Sequence, residues 1–217
     1  MAEPAQPPDR RAERRAARRE ENRVEILDAA EKVFGDDGIT NGSLRKIAAE
    51  SGFSTAAIYL FFENKPHLVA ETLARRGDEL KAVITEVAES DAGPLERLHR
   101  VIDDTILFFD DRPNFKRMLR HLRGSDAITG PTLGEFNDGV NDRFGDVMAI
   151  IAGMVDDGQG AGTIRAGDAG VLAHLFSVLV NEFILLTSPD STGPGGLTTA
   201  QFHDLVDGAL RGPGSGC

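Results

Sequence analysis

The 217-residue sequence has no tryptophan and only one cysteine, Cys217, at its last position. One thiol cannot form an intrachain disulfide or a cysteine-rich metal site, which predicts a protein of a reducing compartment. The N-terminal region lacks the apolar segment of a secretory signal. The most apolar stretch, 171–186, is interrupted by polar residues such as Asn181 and Glu182, and we interpret it as too short and too polar to cross a membrane. These absences predict a cytoplasmic protein with no membrane partner.

Recognisable signatures of catalysis are also missing. The chain has five histidines but no histidine pair at metal-ligand spacing with a helical carboxylate, no glycine-rich phosphate loop and no nucleophile elbow. We interpret His99 and Asp103, four residues apart, as a pair on a helix surface. The sequence therefore argues against an enzyme and predicts neither a metal nor a cofactor.

Charge is distributed unevenly along the chain. The net charge of −11 argues by itself against a nucleic-acid partner. However, residues 1–65 hold 11 basic and 12 acidic side chains, whereas residues 66–217 hold 13 and 23. Residues 10–23 contain seven arginines against three glutamates. This asymmetry favours an N-terminal region that contacts phosphates, although the arginines would also suit a solubilising tail.

The apolar spacing predicts an all-α fold, because no segment alternates as a strand would. A first helix begins near Val24 and is expected to end at Gly35 and Gly38; a second, 44–50, is capped by Ser43, and a third, capped by Ser54, continues to about residue 62. Six further helices are predicted at about 68–90, 94–111, 113–123, 133–157, 168–187 and 198–210.

Four domain segments follow from this pattern. Residues 1–22 are expected to form a disordered basic arm, and 10–22 would alternatively extend the first helix. Residues 23–66 form a three-helix domain, residues 67–211 a six-helix bundle, and residues 212–217 a disordered tail.

Residues 44–62 are predicted to form two short helices joined by a turn at Gly52. This is the spacing of a helix-turn-helix, whose second helix enters the DNA major groove. Phe53, Ile58 and Phe62 are expected to hold the pair on the first helix. Small and hydroxylic residues at the start of the second helix would then face base edges and phosphates.

This region resembles the N-terminal signature of the TetR family of repressors. The resemblance implies a three-helix DNA-binding domain fused to a six-helix domain for effector binding and dimerisation. It covers about 45 residues and is carried by Ile26-Leu27-Asp28-Ala29-Ala30, Phe34, Gly38, Ser43-Leu44-Arg45-Lys46-Ile47-Ala48, Ser51-Gly52-Phe53-Ser54, Ile58-Tyr59-Leu60-Phe61-Phe62, Lys65 and Leu68.

The resemblance also implies roles for individual residues. Tyr59 and Lys65 match family residues that contact phosphate, and the sequence departs from the family at Phe61, where histidine is common. A phenyl ring cannot donate a hydrogen bond to phosphate, so Phe61 is expected to pack on a sugar or a thymine methyl group. The full set of expected DNA contacts is Ser43, Arg45, Ser54, Thr55, Ala56, Ala57, Tyr59, Phe61 and Lys65.

Two further surfaces are expected in the six-helix domain. Apolar residues of its middle helices are candidates for an effector pocket, with packing in the core as the alternative; they are Phe108, Phe115, Met118, Phe136, Val140, Phe144 and Met148. A wide apolar stripe on the last two helices is a candidate dimer interface, with burial inside one chain as the alternative; it comprises Leu172, Leu175, Phe176, Leu179, Phe183, Phe202, Leu205, Val206 and Ala209.

The implied function is a homodimeric transcriptional regulator, in the first instance a repressor, that binds a palindromic operator. A small hydrophobic or amphipathic effector would move the helix that begins at Lys65 and release the DNA. Two alternatives remain open at the level of sequence. One is a regulator that needs its ligand in order to bind DNA, and the other is a helical protein that binds hydrophobic ligands and has no DNA-binding role.

Overall fold

The computed structural model describes residues 10–123, 137–187 and 196–212. These residues form helices without any β-strand, apart from one isolated bridge between Ile164 and Arg211. The elements are α1 (Arg10–Asn41), α2 (Leu44–Ser51), α3 (Thr55–Ile58), α4 (Lys65–Ala88), α5 (Pro94–Asp110), α6 (Pro113–Arg123), α7 (Asn137–Gly160), α8 (Ala169–Leu186) and α9 (Thr199–Leu210).

Side-chain caps fix the starts of α4, α8 and α9, although α4 begins three residues before its predicted start at about residue 68. The side chain of Asn64 accepts a hydrogen bond from the backbone N–H of His67 at 2.8 Å, with Pro66 in the first turn of α4. Asp168 caps α8 in the same way, and Thr198 with Gln201 forms a capping box at α9.

The start and the end of α1 differ from the prediction. Residues 10–22, expected in a disordered arm, continue α1 as exposed helix. Gly35 does not end the helix: a Cβ there would lie 2.6 Å from the carbonyl oxygen of Asn114, so glycine lets α6 approach α1. The break comes at Gly38, whose φ of 77° favours glycine.

The N-terminal head, residues 23–66, has its own buried face. Ile26 and Phe34 of α1, Ile47 of α2 and Ile58 of α3 are all fully buried. The head is not isolated from the rest of the chain, because α6 packs along α1 and α4 packs against both α1 and α7. Movement within the C-terminal helices therefore has two direct routes to the head, through α4 and through α6.

Helix α8 is the most apolar of the described helices. Its 18 residues have a mean hydropathy of 1.9, and one third of them are buried. By length and composition alone this helix is long and apolar enough to cross a membrane, which corrects the interpretation of the segment as too short and too polar. A single helix of this kind is weak evidence for a membrane span, since apolar helices that pack against protein have the same composition.

Candidate DNA-binding and effector sites

The helix-turn-helix is built by two hydroxyl caps and one glycine. The Ser43 hydroxyl accepts a hydrogen bond from the Lys46 backbone N–H at 3.3 Å, and that of Ser54 accepts one from the Ala57 N–H at 3.1 Å. Gly52, in the predicted turn between the helices, has a φ of 74°, a left-handed conformation that favours glycine. Each capping hydroxyl still has its own hydrogen to donate, so capping leaves both serines able to contact a phosphate.

Burial separates the two faces of α3. Ile58 and Phe62 are buried against the head, and Phe53 is partly buried beside them, as the sequence predicted. Tyr59 and Leu60 project outward, with 55% and 72% of their surfaces exposed. The outward face therefore carries small residues at the start of α3 and the Tyr59 phenol just after its end.

Helix α3 is shorter than predicted. It ends at Ile58, and the chain continues as a tight turn in which the N–H of Leu60 bonds to Ala57 and that of Phe61 to Ile58. Hydrogen bonds between residues three apart, as in a 3₁₀ turn, tighten the last turn of a helix. Tyr59 is thereby placed at the exposed end of the recognition element.

The cationic candidates differ in their surroundings. Arg45 is exposed on α2. Lys65, at the start of α4, donates from Nζ to the carbonyl oxygen of Thr40 at 3.1 Å, and its partial burial lowers its pKa from the usual value. Lys65 thus joins the start of α4 to the end of α1, in addition to the phosphate contact expected of it.

Phe61 contacts an arginine that lies far from it in sequence. Its half-buried ring lies 5.3 Å from the guanidinium of Arg19, within the range of a cation–π contact. Arg19 also donates from Nη2 to the carbonyl oxygen of Leu60 at 3.2 Å. No local pattern indicated this contact, because it joins positions far apart in sequence.

The effector candidates separate into two places. Phe108, Phe115 and Met118 are buried, and the ring centroids of Phe108 and Phe115 are 6.5 Å apart. On α7, Val140 and Met148 are partly buried against the core. Phe136 lies outside the described residues.

Phe144 does not join this group. It is 48% exposed, and its ring meets His174 of α8 edge-on at 6.4 Å. Because both residues lie on the outer side of α7 and α8, the expected single pocket does not include Phe144. Helical spacing from Val140 and Met148 gave no indication that this side chain turns away from the core.

The expected dimer stripe divides into a buried and an exposed part. Phe183 and Phe202 stack with centroids 4.3 Å apart, and they are buried inside the protomer together with Phe176 and Val206. These four residues are therefore unavailable to a partner, because packing α8 against α9 and the bundle already covers them. Leu172 and Leu179 are half-buried, and the face open to a partner is formed by Val171, Leu175, Val178, Leu205 and Ala209.

Comparisons with known proteins agree with this architecture. Residues 26–72 match the family model of bacterial regulatory proteins, tetR family. The nicotine-responsive transcriptional repressor HdnoR of Paenarthrobacter nicotinovorans is 34% identical over 83 residues, which are 38% of this chain and 43% of that repressor. The chain thus matches less than half the length of that relative.

Two solved structures share the fold over most of the chain. FadR of Bacillus subtilis in complex with stearoyl-CoA has a TM-score of 0.73 at 20% identity, covering 87% of this chain and 99% of that one. AibR in complex with isovaleryl coenzyme A and operator DNA has a TM-score of 0.69 at 22% identity, covering 88% and 98%.

Proposed function

We propose that this chain, whose residues 26–72 match the family model of bacterial regulatory proteins, tetR family, is a ligand-responsive transcriptional repressor that binds operator DNA as a homodimer. The observation that carries the proposal is the capped α2–α3 unit, with a buried inner face and an exposed outer face ending at Tyr59. Its DNA target would place the protein in the cytoplasm.

The head supplies two kinds of contact. The small side chains of Thr55, Ala56 and Ala57 let the start of α3 approach base edges closely, which is where sequence is read. Ser43, Arg45, Tyr59 and Lys65 supply hydroxyl and cationic groups around it, and such groups fix the position of a protein on the phosphate backbone. Phosphate contacts release counterions, so binding should weaken steeply as salt rises.

A homodimer follows from the exposed apolar face on α8 and α9. Val171, Leu175 and Leu205 are each about half exposed, and Val178 is 43% exposed, so α8 and α9 leave several large apolar side chains open to solvent. Pairing this face with its copy about a two-fold axis would cover it. Two heads would then read two half-sites of a palindrome separated by about one helical turn or a multiple of it.

The effector is proposed to be hydrophobic or amphipathic, bound among the helices that carry Phe108, Phe115 and Met118. AibR and FadR were solved with acyl-CoA thioesters, which have this character. A chain of contacts leads from Phe108 to the head. The Arg112 guanidinium lies 4.0 Å from the Phe108 ring and donates to Glu79 of α4 at 3.1 Å.

The chain of contacts continues through α4 to α1. Arg76 donates to Glu79 and, from Nε, to the buried Glu31 of α1 at 2.7 Å. An effector that displaces Phe108 would disturb these contacts and shift α4 relative to the head. Coupling between two such sites is typically worth about 1–3 kcal/mol.

A DNA-binding titration tests this proposal. The full-length protein is titrated against duplex fragments from around its own gene at several salt concentrations, and the bound complex is then challenged with acyl-CoA thioesters, fatty acids, steroid-like compounds and cationic drugs. Saturable binding to one palindromic fragment and release by one ligand class support the proposal. Weak and equal binding to every fragment, with and without each ligand, overturns it.

A further inference from the structure

The first part of α1 carries arginines in two rows. In an α-helix, residues four apart lie on nearly the same face, so each row follows one side of the helix. Residues 10–21 are exposed throughout and extend for about 18 Å beyond the head at 1.5 Å per residue. One row is formed by Arg10, Arg14 and Arg18, and the other by Arg11, Arg15, Arg19 and Arg23.

The second row is fixed to the end of the recognition element. Arg19 covers the Phe61 ring and bonds to the Leu60 carbonyl. One turn later, Arg23 lies 5.8 Å from the Phe62 ring and pairs with Glu71 of α4. The basic helix is therefore held beside the residues that follow Tyr59 and does not swing independently of α3.

Residues 10–23 are positively charged although the chain as a whole is negatively charged. The chain has a net charge of −11, yet its residues 10–23 contain seven arginines and three glutamates. Arg23 is held by Glu20 and Glu71, whereas Arg14, Arg15, Arg18 and Arg19 are exposed. Arg19 uses one of its five N–H groups on the Leu60 carbonyl, which leaves others for an anion.

We propose that residues 10–19 of α1 form a second DNA contact, along the phosphates that flank the half-site read by α3. Phe61 is the platform that holds Arg19 in place, so Arg19 supplies the hydrogen-bond donor to phosphate that a phenyl ring at position 61 cannot. The inference rests on the proposed function, because it needs α3 to face DNA. It adds a contact that depends on duplex length and salt but not on base sequence.

The test compares two duplexes and three protein variants. The short duplex is a palindrome that the wild-type protein selects from a random pool, and it ends where the palindrome ends. The long duplex has about ten further base pairs, one helical turn, on each side. The variants are Arg15→Gln with Arg18→Gln, Phe61→Leu, and Arg100→Gln as a matched control on the exposed side of α5. Far-ultraviolet circular dichroism and thermal unfolding check that each variant folds like the wild type.

The wild type and the Arg100→Gln control should bind the long duplex at least about tenfold more tightly than the short one, with a steeper salt dependence. The arginine double variant should lose this difference, and its salt slope on the long duplex should fall by about 3.6, for four phosphate contacts in a dimer at about 0.9 each. Phe61→Leu should lose part of the difference.

Two results overturn the inference, and they differ in what they say about the proposed function. If the double variant prefers the long duplex as strongly as the wild type, residues 10–19 make no DNA contact, while the operator-binding function stands. If the wild-type protein selects no duplex from the pool, the operator-binding function fails and the flanking contact fails with it.

Discussion

Arg76 of α4 donates a hydrogen bond from Nε to the carboxylate of Glu31 on α1 at 2.7 Å. Glu31 is only 5% exposed, so its charge is buried between the head and α4, where Arg76 is its hydrogen-bonded partner and the Arg75 guanidinium lies 3.7 Å away. Burial alone would lower the pKa of Arg76. The hydrogen bonds and charges of Glu31 and Glu79 outweigh burial and raise this pKa above its usual value. The head is thus joined to the helical bundle by a buried ion pair as well as by apolar packing.

Removing Arg76 should destabilise the protein strongly. Arg76→Ala removes the hydrogen-bonded cation of the buried Glu31 carboxylate and leaves only the Arg75 guanidinium, 3.7 Å away, so the loss should approach the ~3–5 kcal/mol that breaking a buried ion pair typically costs. The matched control is Asp78→Asn, because Asp78 pairs with Arg143 at 2.9 Å where both side chains are well exposed. The control should cost less than about 1 kcal/mol. Urea unfolding at one protein concentration measures both, and equal losses would contradict this account of the pair.

The contact between α1 and α6 depends on Gly35. A Cβ at this position would lie 2.6 Å from the Asn114 carbonyl oxygen, which is backbone and cannot rotate away. We expect Gly35→Ala to lower the free energy of unfolding by about 1–3 kcal/mol through overpacking, despite the better helix propensity of alanine.

Gly153→Ala on α7 is the control for that substitution. Nothing lies within 4 Å of a Cβ built there, so the alanine should stabilise the protein by up to about 1 kcal/mol. Thermal unfolding of both variants provides the comparison. A Gly35→Ala protein as stable as Gly153→Ala would show that α6 does not approach α1 this closely.

Asp207 should make part of the stability depend on acidic pH. Burial alone raises the pKa of this carboxyl, but hydrogen bonds from Arg211 and His99, at 2.6 Å each, outweigh it and lower the pKa below the usual 3.8. The same region includes His203, which stacks on His99 and pairs with Asp103 at 3.0 Å.

Because the folded-state pKa of Asp207 is depressed, its contribution to stability is fully present above the unfolded-state pKa. That contribution is lost as pH falls through about 4 towards the folded-state value. Asp207→Asn should therefore be less stable than the wild type at pH 6, and the difference should shrink by pH 3. Asp204→Asn, on the exposed side of the same helix, controls for the change in net charge. A difference between wild type and Asp207→Asn that is constant over this range would contradict the role given to Asp207.

The exposed leucines of α8 and α9 give a test of dimerisation. Leu175 is 53% exposed in the protomer, and Leu175→Glu would bury an unpaired charge in the proposed interface. A cost of about 3 kcal/mol raises the dimer dissociation constant more than 100-fold. Leu60→Glu places the same change on the head, where Leu60 is 72% exposed, and should leave the dimer intact. Sedimentation analysis distinguishes the two, and an unchanged Leu175→Glu dimer would place the interface elsewhere.

Local sequence signals predicted the helices and their caps well. Ser43 and Ser54 cap the helices that they were expected to cap, since a hydroxyl beside the first turn satisfies backbone N–H groups whatever the tertiary structure. The prediction that Gly35 ends the first helix was wrong because the glycine has a tertiary role. Glycine there serves close packing against Asn114, 79 residues away in sequence, which no local pattern reports.

The candidate sites were predictable only in part, because periodicity shows which residues share a helix face but not what covers that face. The stripe on α8 combined Leu175, which is exposed, with Phe176 and Phe183, which the protomer buries itself. Likewise, Phe144 follows the spacing of a core helix but turns towards His174 at the surface. The contacts of Arg19 and Arg112 join distant segments, so no local pattern indicates them.

The claim that α3 reads operator DNA is tested most directly by the binding of wild type, Tyr59→Phe and Thr55→Ala to a randomised pool of duplexes. Tyr59→Phe removes only a hydroxyl proposed to reach phosphate, so it should weaken binding to all sequences by a similar factor. Thr55→Ala changes a side chain proposed to face the bases and should alter which sequences are selected. If neither variant differs from the wild type in affinity or in selected sequence, the recognition surface assigned to α3 is wrong.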